Sequence, residues 1–192
     1  MCIKRSMKRV IYIEGTSETD NGSLRKAFSE LLRKELAGDM PKIIMGDGKN
    51  QTIDKFHSTP VDTDEKRYLL FDSDKANPNK SSICSTINNG KTNRKIDATP
   101  DNTFLMIQEV EAWILSQPEI LQQRGIDMSN FKVPNIENVT KPSGLLSDLY
   151  QKSHLTYTKV REFVRIFPKL DTTKLKDDCP EFKALIEALT KH

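Results

Sequence analysis

One apolar segment constrains the fold of this chain more than any other feature. Arg67 opens the uninterrupted run Tyr68-Leu69-Leu70-Phe71, which stops abruptly at Asp72-Ser73-Asp74. A strand with one face in water alternates between apolar and polar residues, whereas a continuous apolar run is typical of a strand that is buried on both faces. Such strands occur mainly in parallel sheets covered by helices. The segment therefore indicates an α/β fold.

Three further apolar runs predict strands, and helical patterns separate them. The predicted strands are 10–13, 42–45, 67–71 and 103–107, and the predicted helices are 23–36, 50–57, a short one around 82–88, and one that begins with 109–115. This alternation predicts a mainly parallel four-stranded sheet flanked by helices. We assign residues 1–117 to this core and residues 118–192 to a loop-rich, helical C-terminal extension packed on it, with helices at 145–150, 158–166 and 181–189.

Composition limits the classes of protein to which the chain can belong. Thirty Lys and Arg residues against 27 Asp and Glu give a formal net charge of +3, which permits nucleic-acid binding without requiring it. Cys2, Cys84 and Cys179 lie far apart with no CxxC spacing, so neither a disulfide framework nor a zinc site is indicated, and we expect a cytoplasmic protein. No segment approaches the ~18 apolar residues of a membrane span, so no membrane contact is expected.

Acidic residues follow three of the four predicted strands. They are Glu14, Asp72, Asp74, Glu109 and Glu111. Ligands of open α/β sheets bind outside the carboxyl ends of the strands, so we expect these five carboxylates at one edge. Clustered carboxylates repel one another unless a cation neutralises them, and Mg²⁺ or Mn²⁺ prefers such oxygen ligands. The pattern predicts a metal site, with Asp72 and Asp74 on one side of an extended chain.

Each acidic motif also has a purely structural interpretation. Asp72-Ser73-Asp74 could end a strand and cap the next helix, and Glu14-Gly15 is a common turn. Glu109 and Glu111 could be the favourable acidic first turn of a helix. Side chains that are two positions apart on a helix point in different directions, so we expect only one of Glu109 and Glu111 to line the site.

Basic residues follow the third strand in a long polar loop. Lys75, Lys80, Lys91, Arg94 and Lys95 are candidates for binding the phosphates on either side of a cut. An ordinary solvated loop explains them as well. The basic residues of the extension, Lys141, Lys152, Lys159, Arg161 and Arg165, are equally open to both interpretations.

Two segments resemble the signature motifs of Toprim domains. Ile11-Tyr12-Ile13-Glu14-Gly15, followed by Ser17-Glu18, resembles the first motif with its glutamate, and residues 69–74 resemble the second with its DxD pair. The resemblance implies a Toprim-like, Rossmannoid fold and magnesium-dependent chemistry on phosphodiester bonds. By position, Glu14 would be a general acid/base or metal ligand, and Asp72 and Asp74 would hold the metal.

A third segment narrows the resemblance. Gln108-Glu109-Val110-Glu111-Ala112-Trp113 is similar to the Q-E-x-E-A-W segment of small bacterial Toprim-like proteins classed as domain of unknown function 4276. Lys141-Pro142, Tyr157-Thr158-Lys159 and residues 178–182 are similar to the C-terminal region of that group. The resemblance extends to the Toprim part of the overcoming-lysogenization-defect nucleases. It implies an ABC-type ATPase partner, with Glu109 or Glu111 helping to hold a second metal.

Two hypotheses follow from these residues. The first is a magnesium- or manganese-dependent nuclease subunit that acts on nucleic acid, DNA rather than RNA, in antiphage defence or DNA maintenance. The second is a non-catalytic Toprim-like adaptor or sensor that binds an ATPase or nucleic acid. A nucleotidyl transferase is less favoured, because 192 residues leave little room for template-handling domains. Homo-oligomer formation is left open.

Overall fold

The four apolar runs form one parallel sheet in the computed structural model, which describes residues 7–15, 18–62 and 64–191, without the side chains of 18–22. Within these residues the strands are β1 (Lys8–Ile13), β2 (Lys42–Met45), β3 (Glu65–Asp72) and β4 (Thr103–Met106). Their order is β2-β1-β3-β4, and every neighbouring pair is parallel. The predicted α/β fold is confirmed.

Helices occupy the connections and the C-terminal region. They are α1 (Glu18–Leu36), α2 (Lys49–Ser58), α3 (Lys80–Asn89), α4 (Glu111–Leu115), α5 (Pro118–Gln122), α6 (Pro142–Lys152), α7 (Lys159–Ile166), α8 (Thr172–Asp178) and α9 (Pro180–Thr190). The sequence pattern did not predict α5 and α8, which are short and bury few apolar residues. No helix in the described part of the chain is long and apolar enough to cross a membrane.

The sheet buries two separate apolar faces, as the period of two along a strand requires. Ile11 and Ile13 of β1 face one cluster, which includes Phe28 of α1 and side chains from α4 to α9. Val10 and Tyr12 face the other, which holds side chains of α2 and α3. The C-terminal helices therefore complete the core on the α1 side of the sheet and are not a separate layer.

The strand order creates a crevice between β1 and β3. The chain leaves β1 over one face to reach β2, and then crosses the opposite face to reach β3 on the other side of β1. Connections that diverge in this way leave a gap beyond the carboxyl ends of the two central strands, where open α/β sheets bind their ligands.

Candidate active site

Glu14 and Asp72 lie side by side at this crevice. Glu14 directly follows β1 and Asp72 ends β3, and the register of the two strands pairs Ile13 with Leu70. Oε2 of Glu14 accepts the backbone N–H of Asp72 at 3.0 Å. The structure thus brings together the carboxylates that follow the first and third predicted strands.

Asp72 is fixed by contacts from three directions. Its side chain is buried, and Oδ1 accepts the backbone N–H of Val110 at 2.9 Å. Oδ2 lies 3.9 Å from Nζ of Lys159, the first residue of α7. Its own carbonyl accepts a hydrogen bond from Nζ of Lys49 at 2.8 Å. Asp72 therefore connects β3 to the segment that follows β4 and to the C-terminal helices.

Asp74 occupies a different environment from Asp72. Its φ of 56° lies in the left-handed region, so the expected extended geometry, with both aspartates on one side, is wrong. Its carboxylate is exposed and forms an ion pair with Nζ of Lys49 at 2.7 Å. The same ammonium group donates to the carbonyl of Asp72, so Asp74 lies at the same edge as Asp72.

Hydrogen bonds join the loop after β3 to the loop after β4. The hydroxyl of Ser73 accepts the N–H of Gln108 at 2.7 Å, and the carbonyl of Gln108 accepts the N–H of Asp74 at 2.9 Å. Gln108 also adopts a left-handed φ of 58°. These bonds hold the two loops in register, so that acidic residues from both reach the same edge.

Glu111 forms the innermost part of the site. Its side chain is fully buried, Oε1 accepts the hydroxyl of Tyr157 at 3.0 Å, and Nζ of Lys159 lies 3.2 Å from the same oxygen. Lys159 therefore lies between Glu111 and Asp72. A buried carboxylate needs such partners, because an unpaired charge away from water is strongly destabilising.

Glu109 faces a different neighbour. Its Oε2 accepts the backbone N–H of Ser143 at 2.7 Å, in the first turn of α6. A carboxylate at this position satisfies a free N–H group and interacts favourably with the positive end of the helix dipole. Of the two glutamates, Glu111 shares Lys159 with Asp72, and Glu109 holds the start of α6.

Burial and mutual repulsion shift the acidity of the central pair. Burial raises the pKa of Asp72 well above its ordinary value, Lys159 opposes this shift, and Glu14 and Glu111 add to it. Burial likewise raises the pKa of Glu14, against the hydrogen bond from the N–H of Asp72 and the charge of Lys49. Burial lowers the pKa of Lys159, but Glu111 and Asp72 outweigh that effect, and the net shift is upward. The ammonium group of Lys159 therefore stays charged, but it does not fully offset the burial and repulsion that raise the pKa values of Asp72 and Glu14.

Comparison with known proteins identifies the family. The family model for the domain of unknown function DUF4276 matches residues 13–190. The chain belongs to the DUF4276 family. No curated protein and no solved structure gives a significant match. The DUF4276 match includes all five carboxylates and extends through α9, so both the site and the C-terminal helices lie within the matched region.

Sequence reasoning missed the two lysines at the centre of this DUF4276 site. Lys49 opens α2 and contacts both aspartates of the DxD motif, and its Nζ lies 4.9 Å from the centroid of the Phe71 ring. Lys159 is one of several basic residues in the extension, and it belongs to the segment Tyr157-Thr158-Lys159 that carries part of the resemblance. Nothing in the local pattern distinguishes a lysine that points inward from one in solvent.

The basic residues predicted to bind nucleic acid are mostly paired with carboxylates. Lys80 pairs with Glu181 at 2.9 Å, Lys91 with Asp54, and Arg94 with Asp97 at 2.6 Å. Lys75 is exposed and directly follows Asp74, which places it beside the carboxylates. Pairing reduces the positive charge that the first three residues can offer to a phosphate.

Residues 91–95 also lie away from the carboxylates. The N–H of Lys95 donates to the carbonyl of His57 in the last turn of α2 at 2.8 Å, and Nη1 of Arg94 donates to the carbonyl of Asn88 at the end of α3. These helices run back from the carboxyl edge to the amino ends of the next strands. Lys91, Arg94 and Lys95, which are predicted to bind the phosphates beside a cut, therefore lie at the opposite end of the sheet from the carboxylates.

The acidic residues fit a divalent cation in chemistry and in charge. Carboxylate oxygens are the ligands that Mg²⁺ and Mn²⁺ prefer. The ammonium groups of Lys49 and Lys159 form ion pairs with three of the five carboxylates, those of Asp72, Asp74 and Glu111. Within residues 7–15, 18–62 and 64–191, no three His, Cys, Asp or Glu side chains are already grouped as a metal site. The two lysines hold the carboxylates in their present arrangement.

Proposed function

We propose that this protein is a nuclease subunit that hydrolyses phosphodiester bonds of nucleic acid, with DNA as the preferred substrate and Mg²⁺ or Mn²⁺ as cofactor. We place it in the Toprim-like group that its motifs resemble. The proposal includes a cytoplasmic location and a role in bacterial antiphage defence or DNA maintenance beside an ABC-type ATPase.

The pairing of Glu14 with Asp72 carries the proposal. Glu14 is half-buried and Asp72 is buried. The two carboxylates follow adjacent central strands and lie next to each other at a topological switch point. Repulsion and burial both destabilise a folded protein that holds two like charges in such a position. A functional role for the pair is therefore favoured over a purely structural one. Perturbed carboxylates in a crevice are a common property of catalytic sites.

Each residue has a distinct role in this proposal. Glu14, Asp72 and Asp74 would hold the metal ion, which supplies an acidified water and polarises the phosphate. Glu14, with its raised pKa, is suited to exchange a proton with the attacking water or the leaving oxygen. Lys159 forms ion pairs with both Asp72 and Glu111 and so holds these two carboxylates at the site. Lys49 orients Asp74 through their 2.7 Å ion pair.

One observation favours a second function. Lys49 and Lys159 already form ion pairs with three of the carboxylates, so the edge holds together without any metal. A protein that had lost catalysis could keep this network as a scaffold for binding an ATPase or nucleic acid. The adaptor hypothesis predicts that partner binding survives when the acidic side chains are neutralised.

Cleavage of nucleic acid by matched variants distinguishes the two functions. Plasmid, linear and single-stranded DNA and RNA are incubated with Mg²⁺ or Mn²⁺, with and without a neighbouring ATPase. Wild type is compared with Glu14→Gln and Asp72→Asn, which change charge with little change in shape. Asp101→Asn is the control, because Asp101 is an exposed carboxylate at the other end of the sheet, just before β4.

The nuclease proposal predicts metal-dependent cutting by wild type and Asp101→Asn, and a loss of at least ~100-fold in the two site variants, the scale of losing a general acid/base. If wild type cuts nothing under any condition and the partner still binds Asp72→Asn, the adaptor function is correct.

A further inference from the structure

A basic groove runs beside the carboxylate site. It has a volume of about 550 Å³ and lies between α7 and the second turn of α1, where Ser23 is exposed. Its lining includes Lys159, Arg161 and Arg165, together with Val164. Among the described residues that line it, none is acidic. The groove therefore offers positive charge beside the apolar side chain of Val164.

Arg161 and Arg165 retain free charge because they share one carboxylate. Glu162 is almost fully buried, and its closest contacts are Nη2 of Arg124 at 2.5 Å and the hydroxyl of Tyr150 at 2.6 Å. Nε of Arg161 and Nη1 of Arg165 are farther from it, at 3.4 and 3.5 Å. Three guanidinium groups thus surround a single negative charge.

The two groove arginines are also accessible. Their side chains are 48% and 52% exposed, whereas the side chain of Glu162 beneath them is 1% exposed. This arrangement differs from the loop after β3, where Lys80, Lys91 and Arg94 each have their own carboxylate. A polyanion would find a net positive surface at α7, whereas these three residues of the loop offer nearly neutral ion pairs.

The groove and the carboxylate site share one residue. Lys159 lines the groove, and its Nζ reaches Glu111 and Asp72 inside the site. A strand lying along Arg161 and Arg165 would therefore be led to the carboxylates. Guanidinium groups suit this role because their fork of donors matches phosphate oxygens.

We infer that the α7 groove binds the phosphodiester backbone of a DNA strand and directs it to the carboxylate site. The inference rests on the proposed nuclease function and adds the surface by which the substrate is held. Arg161 and Arg165 supply the phosphate contacts.

Binding of labelled single-stranded DNA, measured by fluorescence anisotropy across a range of salt concentrations, tests the groove. All proteins carry Asp72→Asn so that no cutting interferes. Arg161→Gln/Arg165→Gln removes both guanidinium groups, and Lys91→Gln/Arg94→Gln is the matched control in the loop. Ser23→Glu adds a negative charge to the groove without touching Glu162, and Ser85→Glu, at an exposed position of α3, is its control.

We expect the double arginine variant to bind ~10- to 30-fold more weakly near 0.1 M salt. The slope of log affinity against log salt concentration should fall in magnitude by about 1.4, which corresponds to two lost phosphate contacts on a single strand. Ser23→Glu should weaken binding in the same direction, and both controls should bind as the parent does. Because Ser23→Glu leaves the arginines in place, this arm remains informative if the double variant unfolds.

Several outcomes separate this inference from the nuclease proposal. Weaker binding by both groove variants, in a protein whose wild type never cuts, supports the groove and refutes the nuclease. Metal-dependent cutting together with unchanged binding by the groove variants refutes the groove alone. The inference is also overturned if the parent shows no binding up to ~100 µM, the weak end of non-specific association, or binds RNA of the same sequence more tightly than DNA.

Discussion

Removing the ammonium group of Lys159 tests the electrostatic description of the site. Lys159→Met keeps a long apolar stem but leaves Glu111 buried with only the Tyr157 hydroxyl as a donor. Breaking a buried ion pair by deleting one partner costs ~3–5 kcal/mol. Because the Lys159 side chain is 35% exposed and Tyr157 still donates, we expect the lower end, about 3 kcal/mol. For a chain of this size that lowers the melting temperature by ~6–12 °C.

A double-mutant cycle assigns this loss to the pair. Glu111→Gln removes the charge that Lys159→Met leaves unpaired, so the double variant should recover about half or more of the lost stability. The free energy of unfolding is measured by denaturant titration at neutral pH with EDTA present.

Two results would refute the reasoning. A loss below ~1 kcal/mol would mean that Glu111 reaches water, since exposed ion pairs contribute no more than this. Additive effects in the cycle would mean that Lys159 and Glu111 do not interact and that Lys159 contributes only by packing.

Three further predictions concern other parts of the site. Gly46→Ala should lose ~1–3 kcal/mol in denaturant unfolding, because a Cβ there would lie 1.9 Å from Oγ1 of the buried Thr52, whereas Gly38→Ala has open space and should be neutral. In EDTA, the stability linked to Asp72 is fully present below its unfolded-state pKa and is lost as the pH rises through its raised folded-state pKa. Thermal unfolding from ~pH 4 to 8 should therefore show a flatter profile for Asp72→Asn than for wild type, and parallel profiles would contradict this. Glu109→Gln should lose ~0.3–1 kcal/mol at the start of α6 yet bind Mn²⁺ in calorimetry as wild type does, and a large loss of affinity would make it a metal ligand.

The sheet could be predicted from the sequence because each strand carries its own local signal. The second strand has the predicted limits, Lys42–Met45, and the buried run that ends at Asp72 forms a central strand. The same pattern located the convergence of Glu14 with Asp72, since parallel strands bring their carboxyl ends to one edge. These features depend only on periodicity and topology.

The two lysines and the direction of each acidic side chain could not be predicted in this way. Lys159 is far from Asp72 in the sequence, and its contact depends on how α7 packs against α1 and the sheet. Asp74 adopts a left-handed φ instead of the extended conformation, and its local sequence does not predict this. Long-range packing also explains why residues 91–95 lie at the opposite end of the sheet from the carboxylates.

The most direct test of the account is anomalous diffraction from crystals grown with Mn²⁺. The account predicts a strong peak within ~2.0–2.2 Å of carboxylate oxygens of both Glu14 and Asp72, and no such peak in crystals of Asp72→Asn. Crystals saturated with Mn²⁺ that show no peak at this edge, with Lys49 and Lys159 still paired to the carboxylates, would contradict it.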